Sequence, residues 1–205
     1  MVRLHLISTV EEDSRLKDFV IGLIIGLILI PLGVYVYFVT GMAPVATSAG
    51  AMPFEKKLAS KALHANVEKN MPKTVPIPAN DETYSAGAKV FVGNCAVCHG
   101  LPNQPLTPIA KGMYPKPPQL FMGKGVTDDP PGETYWIVAN GIRLSGMPAF
   151  NPSLSDTQIW QVTLLVANAD KIGPDVKQVL VPEMIHIGAS EQAPSAPATK
   201  EHAPK

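Results

Sequence analysis

Cys95, Cys98 and His99 stand together in NCAVCHG, residues 94–100, and the two cysteines are the only ones in the 205 residues. Two thiols at this spacing with an imidazole beside them admit four chemistries. A disulfide closing so short a loop adds little stability, and its use would be redox catalysis. That pattern needs a strand before the motif and a helix after it. Here a helical pattern precedes and a Pro-rich stretch follows. A structural zinc site needs four ligands. There is no second cysteine pair, and His64 and His186 fall in peripheral segments. Two unlinked thiols placed side by side would have no evident purpose.

The fourth chemistry accounts for all three residues. In C-x-x-C-H the thiols add across the two vinyl groups of a haem as thioethers, and the following histidine lies under the iron as its proximal ligand. The reading is one haem c, covalently attached through Cys95 and Cys98, with His99 as an axial ligand.

The elements that must position these residues follow from the patterns around them. Residues 19–39, FVIGLIIGLILIPLGVYVYFV, contain no charged residue. About 20 such residues in a helix cross a hydrocarbon layer of roughly 30 Å. Pro31 is tolerated in a membrane span, and Tyr35 and Tyr37 suit an interface. A cleavable signal peptide would have a shorter apolar core, although ATSAGA at 46–51 would serve as a cleavage site. A retained anchor over 19–40 is expected, after a cytoplasmic lead at 1–18 that carries Arg3, Arg15 and Lys17. Haem attachment outside the cytoplasm agrees with that orientation.

Residues 41–80 read as a linker, with a short helix at 55–70 whose thin apolar face holds Leu58, Ala62 and Ala65, then a Pro-rich strap. A helix with an acidic first turn starts at Asp81 and carries Tyr84, Ala88, Phe91 and Val92. Residues 101–131 are rich in Pro and Gly and predict irregular loop. A short helix over 132–141 stops at Gly141. A longer one over 155–170 has Ser155 as N-cap and Ile159, Trp160, Thr163, Leu164 and Ala167 on one face. Residues 173–205 are expected to be an arm and, from 189, a disordered tail. The folded unit is thus 81–172, which is small for burial alone to stabilise. A large apolar porphyrin would complete its core.

This stretch resembles a class I c-type cytochrome domain. The resemblance rests on the C-x-x-C-H motif as it stands here, CAVCH, on Gly87 and Phe91 before Cys95, on Trp160 in the last helix, and on GIRLSGMPAF at 141–150. It implies a mainly α fold: an N-terminal transmembrane helix plus a small all-α domain of three or more short helices around one haem. It implies that Gly87 and Phe91 pack against the last helix, with Trp160 as the partner ring. It also implies Met147 as the second axial ligand. Met113 and Met122 are the internal rivals, and neither has the G-M-P setting. Pro102 or Pro108 would supply a carbonyl for the His99 Nδ1–H. Tyr114, Lys111, Tyr135, Trp136 and Arg143 are candidates for the haem propionates.

The functional expectation is a membrane-anchored mono-haem cytochrome that carries single electrons and is not an enzyme by itself. It would act as a tethered shuttle or as a subunit of a respiratory or photosynthetic complex. It would sit in a bacterial inner membrane with the haem domain on the periplasmic side. The partners would be donor and acceptor redox proteins, chiefly membrane complexes. The alternative is a haem sensor or enzyme with a displaceable sixth ligand. Lys plus Arg and Asp plus Glu are 17 each, so the chain has no basic footprint for nucleic acid. Within 81–171 six cations face seven carboxylates, which gives no overall bias for long-range steering.

Overall fold

The computed structural model describes residues 2–181, with side chains from Arg15 onward. Met1 and residues 182–205 lie outside the described residues, and with them His186 and the expected tail. Among the described residues there are eight helices and no strand: α1 Val2–Val39, α2 Glu55–Asn70, α3 Asp81–Asn94, α4 Ala96–His99, α5 Pro108–Gly112, α6 Pro131–Asn140, α7 Asp156–Ala167 and α8 Pro174–Leu180. The chain divides into two compact units, residues 1–62 and 63–205.

The first unit is dominated by α1. Its stretch Arg15–Val39 is long and apolar enough to cross a membrane and, among the described residues, is not covered by other parts of the chain. The helix starts well before the apolar run, so the expected polar lead is helical from Val2. At the start of α2, the Glu55 carboxylate accepts from the Met52 backbone N–H at 2.7 Å.

The second unit is built on α3 and α7. Asn80 caps α3, accepting from the Thr83 N–H at 2.9 Å, and Asp81 and Glu82 sit in the first turn where the helix dipole favours them. Ser155 caps α7 in a full capping box with Gln158. α7 is the core helix. Beyond the expected face it also buries Val162, Leu165 and Val166, so it is surrounded on nearly every side. A Cβ at Gly87 would run into the carbonyl of Gln161 and come within 3.1 Å of the Leu165 Cβ. The absence of that Cβ lets α3 lie directly on the α7 backbone.

The aromatic pairs differ from the expected Phe91–Trp160 contact. Phe91 meets Phe121 edge-on with centroids 5.0 Å apart, and Trp160 stacks on Tyr135 at 4.2 Å. A fully buried Phe91 therefore ties α3 to the long loop, while Trp160 ties α7 to α6. Three further elements depart from expectation. Within the segment expected to be irregular, Thr107 caps the short helix α5, with Pro108 at its first position. Past Gly173 the chain forms α8, which buries Val176 and Leu180 completely against the α3 core where an arm was expected. On α2 Leu58 is exposed, and the buried residue is Val67 at 1% exposure. The strap that follows packs close: a Cβ at Gly132 would meet the Pro72 carbonyl.

Candidate functional site

A cavity of about 240 Å³ opens where the end of α3, helix α4 and two loops converge. Cys95, Cys98 and His99 form one wall and Met147 lines the cavity with them. Three prolines of the long loop, Pro115, Pro117 and Pro118, and Phe150 give the remaining lining an apolar character.

Helix α4 sets the first wall. The Cys98 and His99 backbone N–H groups both donate to the Cys95 carbonyl, at 3.1 and 2.9 Å, so the motif is a single tight turn. Gly100 ends it at φ 73, where a Cβ would lie 2.8 Å from the Gln119 amide nitrogen. The Thr107 hydroxyl donates to the Val97 carbonyl at 2.6 Å and joins this turn to α5.

His99 Nδ1 lies 2.8 Å from the Pro118 carbonyl oxygen. That carbonyl can only accept, so the proton resides on Nδ1 and Nε2 keeps its lone pair. The acceptor is Pro118, not Pro102 or Pro108. Burial holds the imidazole below its usual pKa, and the Pro118 bond works in the opposite direction. A neutral ring with a free Nε2 is the form that binds a metal. Burial, and to a lesser extent Cys98, pushes the Cys95 thiol up to about 12. A thiol so hard to ionise is unsuited to thiol–disulfide chemistry, and both cysteines are free.

The second wall is the loop from Gly141 to Phe150. The Ile142 N–H donates to the Met147 carbonyl at 3.0 Å, the Met147 N–H to the Ser145 hydroxyl at 3.1 Å, and that hydroxyl to the Ile142 carbonyl at 2.8 Å. The Phe150 N–H returns to the Val138 carbonyl of α6 at 3.0 Å. Gly141, at φ 68, faces Pro148 and Ala149 so closely that a Cβ would lie 2.6 Å from their backbone. This loop is fixed by its own backbone before anything binds.

The structure separates the rival residues. Met113 shares the cavity, with its methyl against Gly146, whereas Met122 is 52% exposed and is not part of the lining. His64 lies on α2, 3.7 Å from the Glu133 carboxylate. Among the candidates for acidic groups of a ligand, Tyr135 gives its hydroxyl to Asp156 instead. Lys116, which sequence reasoning did not single out, lines the cavity. Among the described residues no three or more His, Cys, Asp or Glu side chains gather to hold a metal ion by themselves.

The donor set fits an iron porphyrin. It offers two thiols one turn apart, an imidazole with Nε2 unused, a thioether in the same lining and apolar walls. Residues 82–165 match the model of the family described as cytochrome c oxidase, cbb3-type, subunit III. That match spans under half of the chain and makes this segment similar to a class I c-type cytochrome domain, a kind of domain that carries haem c and transfers electrons. Among solved structures, the chain is similar to one in the reducing HAO-like protein complex of Kuenenia stuttgartiensis. The identity is 25% over 50% of this chain and 52% of that one, with a TM-score of 0.41. The matched part is thus about half of that chain's length. No curated protein matches.

Proposed function

We propose that this protein is a membrane-anchored cytochrome with one haem c, carrying single electrons between redox proteins. Bound in this cavity, the haem iron supplies one-electron chemistry, cycling between Fe(II) and Fe(III). Cys95 and Cys98 hold the porphyrin by thioether bonds. His99 offers Nε2 to the iron while its Nδ1–H holds the ring on the Pro118 carbonyl. Met147, in the same lining, would offer its thioether as the second ligand. A soft neutral sulfur favours Fe(II) and raises the potential relative to a second histidine. If His99 and Met147 both held the iron, no position would be left for an exogenous ligand, and the protein would serve as a carrier and not as an enzyme by itself.

The observation that carries this reading is the convergence of Cys95, Cys98, His99 and Met147 on one cavity. The apolar stretch Arg15–Val39 supports an inner-membrane anchor, and the family's description as an oxidase subunit supports service to a membrane complex. Tethering raises the effective concentration of such a partner without long-range steering. The reading places the domain on the periplasmic side. A redox titration of the detergent-extracted full chain tests it. One electron per chain with haem c absorption is expected; absence of haem, or more than one haem per chain, contradicts it.

A further inference from the structure

The chain leaves the apolar helix at Val39, and the residues that follow point their side chains two ways. The Thr40 hydroxyl donates to the Val36 carbonyl at 2.7 Å, the Ala49 N–H donates to the Ala46 carbonyl at 2.9 Å, and Ala43 is buried, so this stretch folds on itself. Met42 and Val45, on either side of Ala43, are turned outward, with Val45 93% exposed. Further on, Phe54 and Leu58 are turned outward as well, at 73% and 65% exposure. A tether surrounded by water gains nothing from large apolar side chains that its own fold leaves uncovered.

Phe54 has a backbone φ of 63. A bulky residue is rare in this left-handed region, which glycine occupies without strain. The turn into α2 imposes it: the Glu55 N–H donates to the Met52 carbonyl at 3.1 Å, the Met52 N–H to the Glu55 carboxylate at 2.7 Å, and the Leu58 N–H to the Phe54 carbonyl at 2.8 Å. An aromatic ring kept at such a position yet left largely uncovered is best explained by a contact outside the chain. Phe54, just before α2, and Leu58 and Ala62 within it follow at four-residue intervals and form one row, with the exposed Lys57 and Lys61 in the row beside it. Residues 42–62 carry Lys56, Lys57 and Lys61 against Glu55 alone, whose carboxylate is held by the Met52 N–H. An apolar row edged by lysines is the pattern of a helix lying in the boundary of a bilayer. The lysine stems extend over the apolar layer and their ammonium groups meet phosphate.

We propose that residues 42–62 rest on the phospholipid surface where the chain leaves the membrane, with Met42, Val45, Phe54 and Leu58 entering the acyl boundary and Lys57 and Lys61 on lipid phosphates. The inference rests on the reading of Arg15–Val39 as a membrane anchor and gives the same compact unit a second contact with that bilayer. Position selects lipid over a partner protein. Met42 is three residues past Val39, at most ~11 Å along the chain, so it stays within or just above the headgroup layer. Charge selects it too, since the lysines beside the apolar row suit phosphate. Residues held in this way no longer act as free tether, which raises the effective concentration of a partner in the same membrane.

The test uses the full haem-loaded chain in nanodiscs of phosphatidylglycerol and phosphatidylcholine, with a nitroxide on Leu29→Cys, Phe54→Cys, Leu58→Cys or Ser60→Cys in turn. Collisions with oxygen, which concentrates in lipid, are compared with collisions with a polar nickel chelate, which stays in water. Leu29, within the span, should favour oxygen most strongly. Phe54 and Leu58 should be shielded from nickel several-fold relative to Ser60, which lies two residues from Leu58 and so on the other side of α2. Adding Lys57→Glu and Lys61→Glu together should return Leu58 toward the Ser60 value while thermal unfolding and haem absorption stay level, a combination that a merely structural role cannot give. Nickel access at Phe54 and Leu58 equal to that at Ser60 overturns the surface contact. So does shielding accompanied by dipolar broadening between labels, which would place a second copy of the chain on this face. Leu29 open to nickel would bring down the anchor reading and the surface contact with it. Leu29 in lipid with Phe54 and Leu58 in water would remove the surface contact alone.

Discussion

His99 Nδ1 and the Pro118 carbonyl oxygen are 2.8 Å apart and come from segments 19 residues distant in the chain. The bond fixes which imidazole nitrogen faces the cavity, and its strength sets how much electron density the ring can give to an iron. Pro117 restricts the backbone just before Pro118, and Pro115 stiffens the same loop. Pro117→Ala should loosen that loop and weaken the bond. The potential moves by the difference in that bond's strength between the two oxidation states, and a difference of about 1 kcal/mol corresponds to a rise on the order of 40 mV in a one-electron potential. Potentiometric titration of wild type and variant checks the direction; an unchanged or lower potential would deny the bond this role.

Gly87 and Gly93 lie on the same helix and should respond oppositely to alanine. At Gly87 the added Cβ meets the Gln161 carbonyl, and overpacking of this kind costs about 1–3 kcal/mol. At Gly93 nothing lies within 4 Å, so alanine should stabilise by about 0.5–1 kcal/mol through the helix alone. Denaturant unfolding of the two variants measures both signs.

Much of this was legible in the sequence, and the reasons are local. Ser155 with Gln158, Gly141 and Gly87 act through neighbours or through a backbone approach that only glycine permits. That Cys95, Cys98, His99 and Met147 would share one cavity was legible because the first three are adjacent and Met147 has a distinctive setting. The Pro118 acceptor was not legible, because a carbonyl has no residue identity and loop closure selects it. The Phe91–Phe121 pair was missed for the same reason. Besides the four-residue α4, two short helices were missed although each carries a start signal, Thr107-Pro108 for α5 and Gly173-Pro174 for α8. In α8, Val176 and Leu180 are spaced by one turn, and that apolar pair was the overlooked sign of burial.

Tyr135 should make stability fall at high pH. Its pKa is pushed up to about 12 from 10.0, first by burial and then by its bond and proximity to Asp156. The folded state therefore holds this proton after the unfolded chain has lost it. The contribution is complete below pH 10 and declines as the pH rises toward about 12. Urea unfolding across that window should show a steeper decline for wild type than for Tyr135→Phe. Equal slopes would remove Tyr135 from the account.

The segment just before α3 should be held by packing rather than by charge. His64 and Glu133 are 3.7 Å apart with side chains 70% and 23% exposed, so the pair should contribute well under ~1 kcal/mol. Val67 is 1% exposed, and Val67→Ala removes two buried methyl groups, about 2 kcal/mol with the cavity it leaves. Comparing His64→Ala with Val67→Ala by denaturant unfolding decides between them; a larger loss at His64 would reverse the assignment.

Two thioethers, Met113 and Met147, line the same cavity, and the carrier account depends on which one meets the iron. The most direct measurement is the near-infrared spectrum of the oxidised full chain for wild type, Met113→Ala and Met147→Ala. The account predicts the weak Fe(III)–S(Met) band in wild type and in Met113→Ala, and its loss in Met147→Ala together with new binding of CO to the reduced protein. Haem with no such band in wild type and ready CO binding would contradict it, as would a band that survives in Met147→Ala and vanishes in Met113→Ala.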